Sequence, residues 1–258
     1  MSRSRSATAA FWLVIAFLWA PVAVLVAYSF NDSRFSAQWT GFTLDWYHRV
    51  FSSAETAAAL RNTLIISTIS TVVSTVLGTM LAIGLHMQAR GRGAVELLLY
   101  MPIIVPDIIM GVATLALYVA TGMPLGHASV VLAHVAFQIS FVALIVRARL
   151  HDFPVAVLEA ARDLGASRTQ TLRHVVLPLL RPGIAAAALI AFALSVDDFV
   201  ITYFTAGAGA STLPVRIYSM VKRGVTPDIN ALSTLLLLVT ITVLAVGTRL
   251  NRTGESHS

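Results

Sequence analysis

Cysteine is absent from the 258 residues. That removes a disulfide framework, a thiol nucleophile and any Cys-based metal site. Lysine is almost absent: of 18 basic residues, Lys222 is the only lysine and the rest are arginine. The chain has no G-x-x-x-x-G-K-[ST] stretch, so it cannot bind ATP in the P-loop manner. Charge is sparse as well, at 12% of residues where a soluble domain has about 25%. The seven histidines, His48, His86, His127, His134, His151, His174 and His257, show no metal-ligand spacing, and no catalytic constellation accompanies them. What is abundant is apolar: 57% hydrophobic residues, with a mean hydropathy of +0.80. These absences exclude an ordinary soluble domain and predict an all-α, multi-pass membrane protein. The net charge of +6 does not require a nucleic-acid partner, because basic residues of membrane proteins collect in cytoplasmic loops.

A spanning helix needs about 20 mostly apolar residues. Six runs qualify, at about 9–30, 58–86, 95–120, 129–148, 182–205 and 229–249. The first is too long for a signal-peptide core of about 7–15 residues and reads as a retained helix. Pro102 and Pro106 should kink the third. Six spans put both termini on one side. With the termini inside, twelve basic residues fall in internal segments and six in external ones, Arg34, Arg49, Arg61, Arg216, Lys222 and Arg223. The positive-inside rule therefore predicts cytoplasmic termini, although the cluster at Arg216, Lys222 and Arg223 runs against it. The external loop 31–57 carries Trp39, Trp46 and Tyr47, which suit an interfacial belt, a short surface helix or a docking face.

Segment 147–182 is too polar to span. Pro154 can open a helix, Gly165 can stop it, and Ser167 with Gln170 makes a capping-box pattern. A second short helix should end near Leu177, before Pro178. The product is a helix–turn–helix with one apolar face. Its other face, bearing Glu159, Arg162, Asp163 and Arg168, either lies solvated on the bilayer or meets a partner.

The residues themselves point to a family. Glu159-Ala160-Ala161, then Gly165, then Val175-Val176-Leu177-Pro178 resembles the EAA loop of ABC-importer permeases, with Val175 where the family has Ile. Asn62-Thr63-Leu64 is similar to the start of that family's core. The resemblance covers about residues 58–250. It implies a type I ABC-importer permease (MetI-like) fold with six transmembrane helices. It further implies that Glu159, Ala160, Ala161, Asp163, Gly165, Leu177 and Pro178 couple to a cytoplasmic ATPase subunit. The expected domains are an N-terminal helix with external loop at 1–57, a permease core at 58–250 and a cytoplasmic tail at 251–258.

The run Leu194 to Phe204, LSVDDFVITYF, sets two adjacent aspartates inside a span, where each ionised carboxylate costs roughly 2.5–3.5 kcal/mol at mid-bilayer. Counted from Pro182, Asp197 and Asp198 lie about 22–24 Å along the helix, in the outer third. On an unbroken helix Ser195, Asp198, Thr202 and Thr205 form one polar stripe. Asp198 is therefore expected on the substrate pathway, and Asp197 is expected to pair with a neighbouring helix or the outer loop. Asp107 either lines the pathway or caps a helix restarted after Pro106. Phe199, Tyr203 and Phe204 offer cation–π faces or plain packing. His134, inside the fourth run, is either a satisfied packing residue or a proton-sensitive one.

Three carboxylates with few embedded cations suit a cationic cargo. The stretches 195–201, 212–222 and 224–232, with Met101-Pro102 and Pro106-Asp107, resemble the second permease subunit of spermidine/putrescine ABC importers. That resemblance implies a bacterial inner-membrane location and a homologous permease partner forming a heterodimeric pore. It also implies two ABC ATPase subunits that bind ATP and Mg, and a periplasmic or lipid-anchored polyamine-binding protein. Other small organic cations, amino acids or opines remain open as cargo. A proton-coupled secondary transporter using Asp107 and Asp198 is the alternative of a different class.

Overall fold

The computed structural model describes residues 5–33, 38–87, 92–151, 155–224 and 226–255. Apart from one antiparallel bridge between Asn31 and Phe42, its regular elements are helices. In chain order they are α1 (Arg5–Tyr28), α2 (Asp45–Ser52), α3 (Ala54–Met87), α4 (Arg92–Ile104), α5 (Asp107–Thr121), α6 (His127–His151), α7 (Val155–Asp163), α8 (Arg168–Thr171), a π-helical turn (Leu172–Val176), α9 (Leu177–Asp197), α10 (Val200–Thr205), α11 (Leu213–Arg223) and α12 (Pro227–Glu255). Among the described residues, four stretches are long and apolar enough to cross a membrane: Ala7–Tyr28, Ala54–Met87, His127–His151 and Arg168–Asp197. The pair α4 and α5 passes the same test as one broken span. In α12 the apolar part, Pro227–Val243, is shorter.

The third run does more than kink. Pro106 has no N–H to donate and disfavours a helical Val105; its ψ of 138° ends the regular turn. The α4 and α5 axes consequently differ by 111°. Pro102 stays inside α4. α5 stops at Gly122, whose φ of +69° is open to glycine at little cost, and whose N–H closes on Tyr118 and Val119 carbonyls.

Two expected elements are corrected. The second short helix of segment 147–182 does not end before Pro178. α8, the π turn and α9 continue as one rod, Arg168–Asp197. Pro178 sits in the first turn of α9, and the wider π register ahead of it relieves the proline ring's clash with the preceding turn. The fifth run is in turn not one helix over 182–205: α9 ends at Asp197, Asp198 is extended (φ −65°, ψ 121°), and α10 restarts at Val200. Pro154 and the chain ends, 1–4 and 256–258, lie outside the described residues.

The chain divides into two compact units, residues 1–58 with 216–239 and residues 59–215 with 240–258. In the first, Trp46 of α2 is buried and its indole N–H donates to the Asn31 carbonyl at 2.7 Å, so Trp46 is a packing residue of the loop. Trp39 is exposed. Tyr47 and Ser29 hydroxyls meet at 2.7 Å. Arg216 is occupied by Glu55 at 2.6 Å and Thr56 at 3.0 Å.

The second unit packs α3, α4, α6 and α9 around Ala82, Leu85, Leu99, Val142, Val146 and Leu180. Lipid gives helices no hydrophobic reason to associate, so small residues that admit close contact carry the packing. Ala143, Ala187 and Ala191 are fully buried there. Gly78 meets α6 so closely that an added Cβ would stand 2.7 Å from Val142 and 3.0 Å from the Ile139 carbonyl oxygen. Overpacking of this kind costs about 1–3 kcal/mol. Gly78→Val should lower the melting temperature of the purified protein in detergent by several degrees, measured against Gly84→Val, whose Cβ meets open space.

Candidate functional site

The break between α9 and α10 is held by side chains. Asp198 Oδ2 accepts the Thr202 N–H at 2.8 Å and the Thr202 hydroxyl at 2.7 Å, while Oδ1 accepts the Ile201 N–H at 3.3 Å. A carboxylate so placed satisfies the free N–H groups that open α10. His134, fully buried in α6, reaches both sides. Its Nδ1 lies 2.7 Å from Ser195 Oγ, and its Nε2 lies 2.9 Å from Thr202 Oγ1 and 3.2 Å from Asp198 Oδ2. Ser195 Oγ continues to Ser70 Oγ of α3 at 3.2 Å. One turn along α6, buried Gln138 donates to the Ala191 carbonyl at 3.0 Å and accepts from Ser74 at 2.9 Å.

The polar stripe Ser195, Asp198, Thr202 and Thr205 exists, but it turns inward. Ser195, Thr202 and Thr205 are buried, and the Asp198 side chain keeps only 9% of its accessible surface. Asp197, the last residue of α9, is exposed. The helical wheel assumes an unbroken helix; the break gives the two carboxylates different surroundings. Asp107 is exposed at the first position of α5, with Pro106 as the N-cap and no side-chain cap bond. There its charge favours the helix dipole. Tyr203 is 53% exposed and rests edge-on against Phe204. Phe204 itself lies over Gly111 of α5, where a Cβ would stand 2.7 Å from its ring.

At the helix–turn–helix, α7 ends through Gly165 at φ +80°, with Ala166 N–H closing on the Ala161 carbonyl at 3.0 Å. The capping box is present: Gln170 N–H reaches Ser167 Oγ at 3.3 Å and Ser167 N–H reaches Gln170 Oε1 at 2.8 Å. Glu159, Ala160 and Asp163 are exposed, Ala161 is half-buried, and Leu177 and Pro178 are half-buried at the head of α9. A cavity of about 420 Å³ lies behind the loop, walled by Ile83, Met87, Leu150, Leu158 and Glu159. Leu164 is 89% exposed at the turn, an apolar knob that the sequence pattern does not single out. Nor does the pattern single out Gln138. His134 and Gln138, four apart within an apolar run, are the available sign of a polar seam.

A helix bundle with a broken fifth span and an exposed EAA loop defines a transport component. Over residues 74–253 the chain matches the family described as binding-protein-dependent transport system inner membrane component, and it belongs to that family of ABC-importer permeases. It is 37% identical to the spermidine/putrescine transport system permease protein PotC of Haemophilus influenzae, over 98% of each chain. It is 38% identical to the putrescine transport system permease protein PotI of Escherichia coli, over 86% of this chain and 82% of that one. Its fold is shared with a bacterial alginate ABC transporter solved in complex with a pentasaccharide-bound periplasmic protein: TM-score 0.72, 19% identity, 95% of this chain and 92% of that chain.

The capping box also makes a local prediction. Replacing an N-cap serine by alanine costs about 1 kcal/mol. Ser167→Ala should therefore speed amide hydrogen exchange at Gln170 and Thr171 about fivefold, with exchange in α6 unchanged.

Proposed function

We propose that this chain forms one half of the translocation pore of an ATP-driven importer for polyamines, putrescine or spermidine. The observation that carries the reading is similarity over nearly the whole chain to a spermidine/putrescine permease. In this reading the chain spans the membrane six times with both termini in the cytoplasm. The bent pair α4–α5 counts as one span, and the 29 residues of α12, about 43 Å long at 1.5 Å per residue, supply the sixth. The arginine distribution supports that orientation.

The pore is a heterodimer with a homologous permease. Two cytoplasmic ATPase subunits bind ATP and Mg; this chain holds no cofactor and does no catalysis of its own. Glu159, Ala160, Ala161, Asp163 and Gly165 seat on an ATPase subunit, with Leu164 as the apolar contact. Leu177 and Pro178 carry the motion into α9. A polyamine-binding protein delivers cargo to the outer face when ATP closes the ATPase pair, and hydrolysis returns the pore to its inward state. Asp107, Asp197 and Asp198, with Ser195, Thr202 and Tyr203, form the path for the cationic cargo. Exposed Asp107 and Asp197 meet the cargo amines first, and Asp198 receives them at the helix break. Polyamines are linear polycations, so carboxylates at successive points suit them.

A hydrogen bond to a charged group is worth about 1.5–3 kcal/mol. Asp198→Asn keeps an acceptor for the α10 cap and removes the charge. Uptake of radiolabelled putrescine into cells lacking their own polyamine importers should fall about tenfold or more at matched expression, with the complex still assembled. Wild-type uptake in that variant would contradict a cargo-facing carboxylate.

A further inference from the structure

His134 uses both ring nitrogens, and they serve opposite sides of the helix break. Nδ1 meets Ser195 in the last turn of α9; Nε2 meets Asp198 and Thr202 beyond it. The neutral tautomer with its proton on Nε2 satisfies the whole set. The Ser195 hydroxyl donates to Nδ1, the Nε2–H donates to Thr202 Oγ1 and Asp198 Oδ2, and the Thr202 hydroxyl donates to Asp198 Oδ2. Among the described residues, Asp198 is the only titratable group within hydrogen-bonding or ion-pairing reach of His134.

The two oxygens of Asp198 are unequally occupied. Oδ2 faces three donors, from Thr202 N, Thr202 Oγ1 and His134 Nε2. Oδ1 has a single long contact, to Ile201 N at 3.3 Å. Oδ1 therefore keeps accepting capacity, and its direction is fixed by whatever grips Oδ2. Thr202 grips from the same short helix and moves with it. His134 grips from α6, and it also holds the α9 side through Ser195.

We infer that His134 is a positioning residue for transport, which fixes the angle of the α9–α10 break and aims Asp198 Oδ1 at the cationic cargo. The inference rests on the import reading above. A histidine that merely fills space between helices has no reason to act through Asp198, so the two roles separate in a double-mutant cycle.

The experiment uses the complete importer, co-expressed with its partner permease, ATPase and binding protein, in nanodiscs. ATP hydrolysis is titrated with putrescine-loaded binding protein. His134→Leu should raise the half-stimulating concentration about tenfold while maximal hydrolysis changes less than about twofold. His134→Gln, whose amide can reach the Nε2 position, should recover most of that loss. In an Asp198→Asn background, His134→Leu should add nothing. An equal shift in both backgrounds, or a loss of maximal rate with no shift, overturns the positioning role while leaving the import reading standing. Absence of putrescine-dependent hydrolysis in the wild-type complex overturns the import reading, and this inference with it. Where His134→Leu fails to assemble, Ser195→Ala, which removes the Nδ1 contact, takes the same measurement with the same opposed outcomes, against Ser70→Ala as the control for the contact to α3 that it also removes.

Discussion

Hydrocarbon offers no hydrogen-bonding partner, so a helix that stops inside a membrane must satisfy its freed backbone groups from within the protein. The break at Asp198 is where this constraint bears hardest on the chain. Asp198 takes up the first N–H groups of α10, and the imidazole of His134 spans the gap between Ser195 and Thr202. An ionised carboxylate that would be costly against lipid becomes a cap with a counterpart. The same logic recurs one turn away, where Gln138 of α6 joins the Ala191 carbonyl of α9 to Ser74 of α3. Polar residues in this bundle fasten helices together, and the packing of Gly78 and the buried alanines lets them come close enough to do so.

The break also has a mechanical setting. The rod from Arg168 to Asp197 runs without interruption from the capping box of the exposed loop to the stapled carboxylate, about 45 Å at 1.5 Å per residue. Within it the only departure from α geometry among the described residues is the π turn ahead of Pro178. In the importer proposed above, a displacement of the loop reaches the break through that one continuous helix. In the proposed importer, that arrangement connects the ATPase face to the residue poised for cargo.

Much of this is legible in the sequence, and the remainder fails for identifiable reasons. Apolar length finds the first, second and fourth spans, because an uncharged run of about 20 residues matches the hydrocarbon thickness and exceeds what a soluble core buries in one helix. Ser167 with Gln170 locates a cap that the structure has, since both halves of that motif are local. The Glu159-Ala160-Ala161 to Pro178 spacing and the stretch around Asp197 identify the family. Two assumptions mislead. Pro178 reads as a stop, although the π turn ahead of it lets the rod run on through a residue with no N–H. The fifth run reads as one helix, so a wheel passes through Asp198, just where the helix gives way. His134 reads most simply as packing because its partners lie 61 to 68 residues away in sequence, and no local pattern carries such contacts. The exposure of Leu164 depends on the geometry of the Gly165 turn, which composition does not encode.

The central claim, that this permease admits polyamines under ATP control, is tested most directly by hydrolysis in the reconstituted complex. ATP turnover should rise severalfold when the cognate binding protein is loaded with putrescine or spermidine, and stay near basal with the unloaded protein. A complex that assembles and hydrolyses ATP, yet responds equally to loaded and unloaded carrier, or only to a carrier loaded with an uncharged or anionic solute, would contradict it.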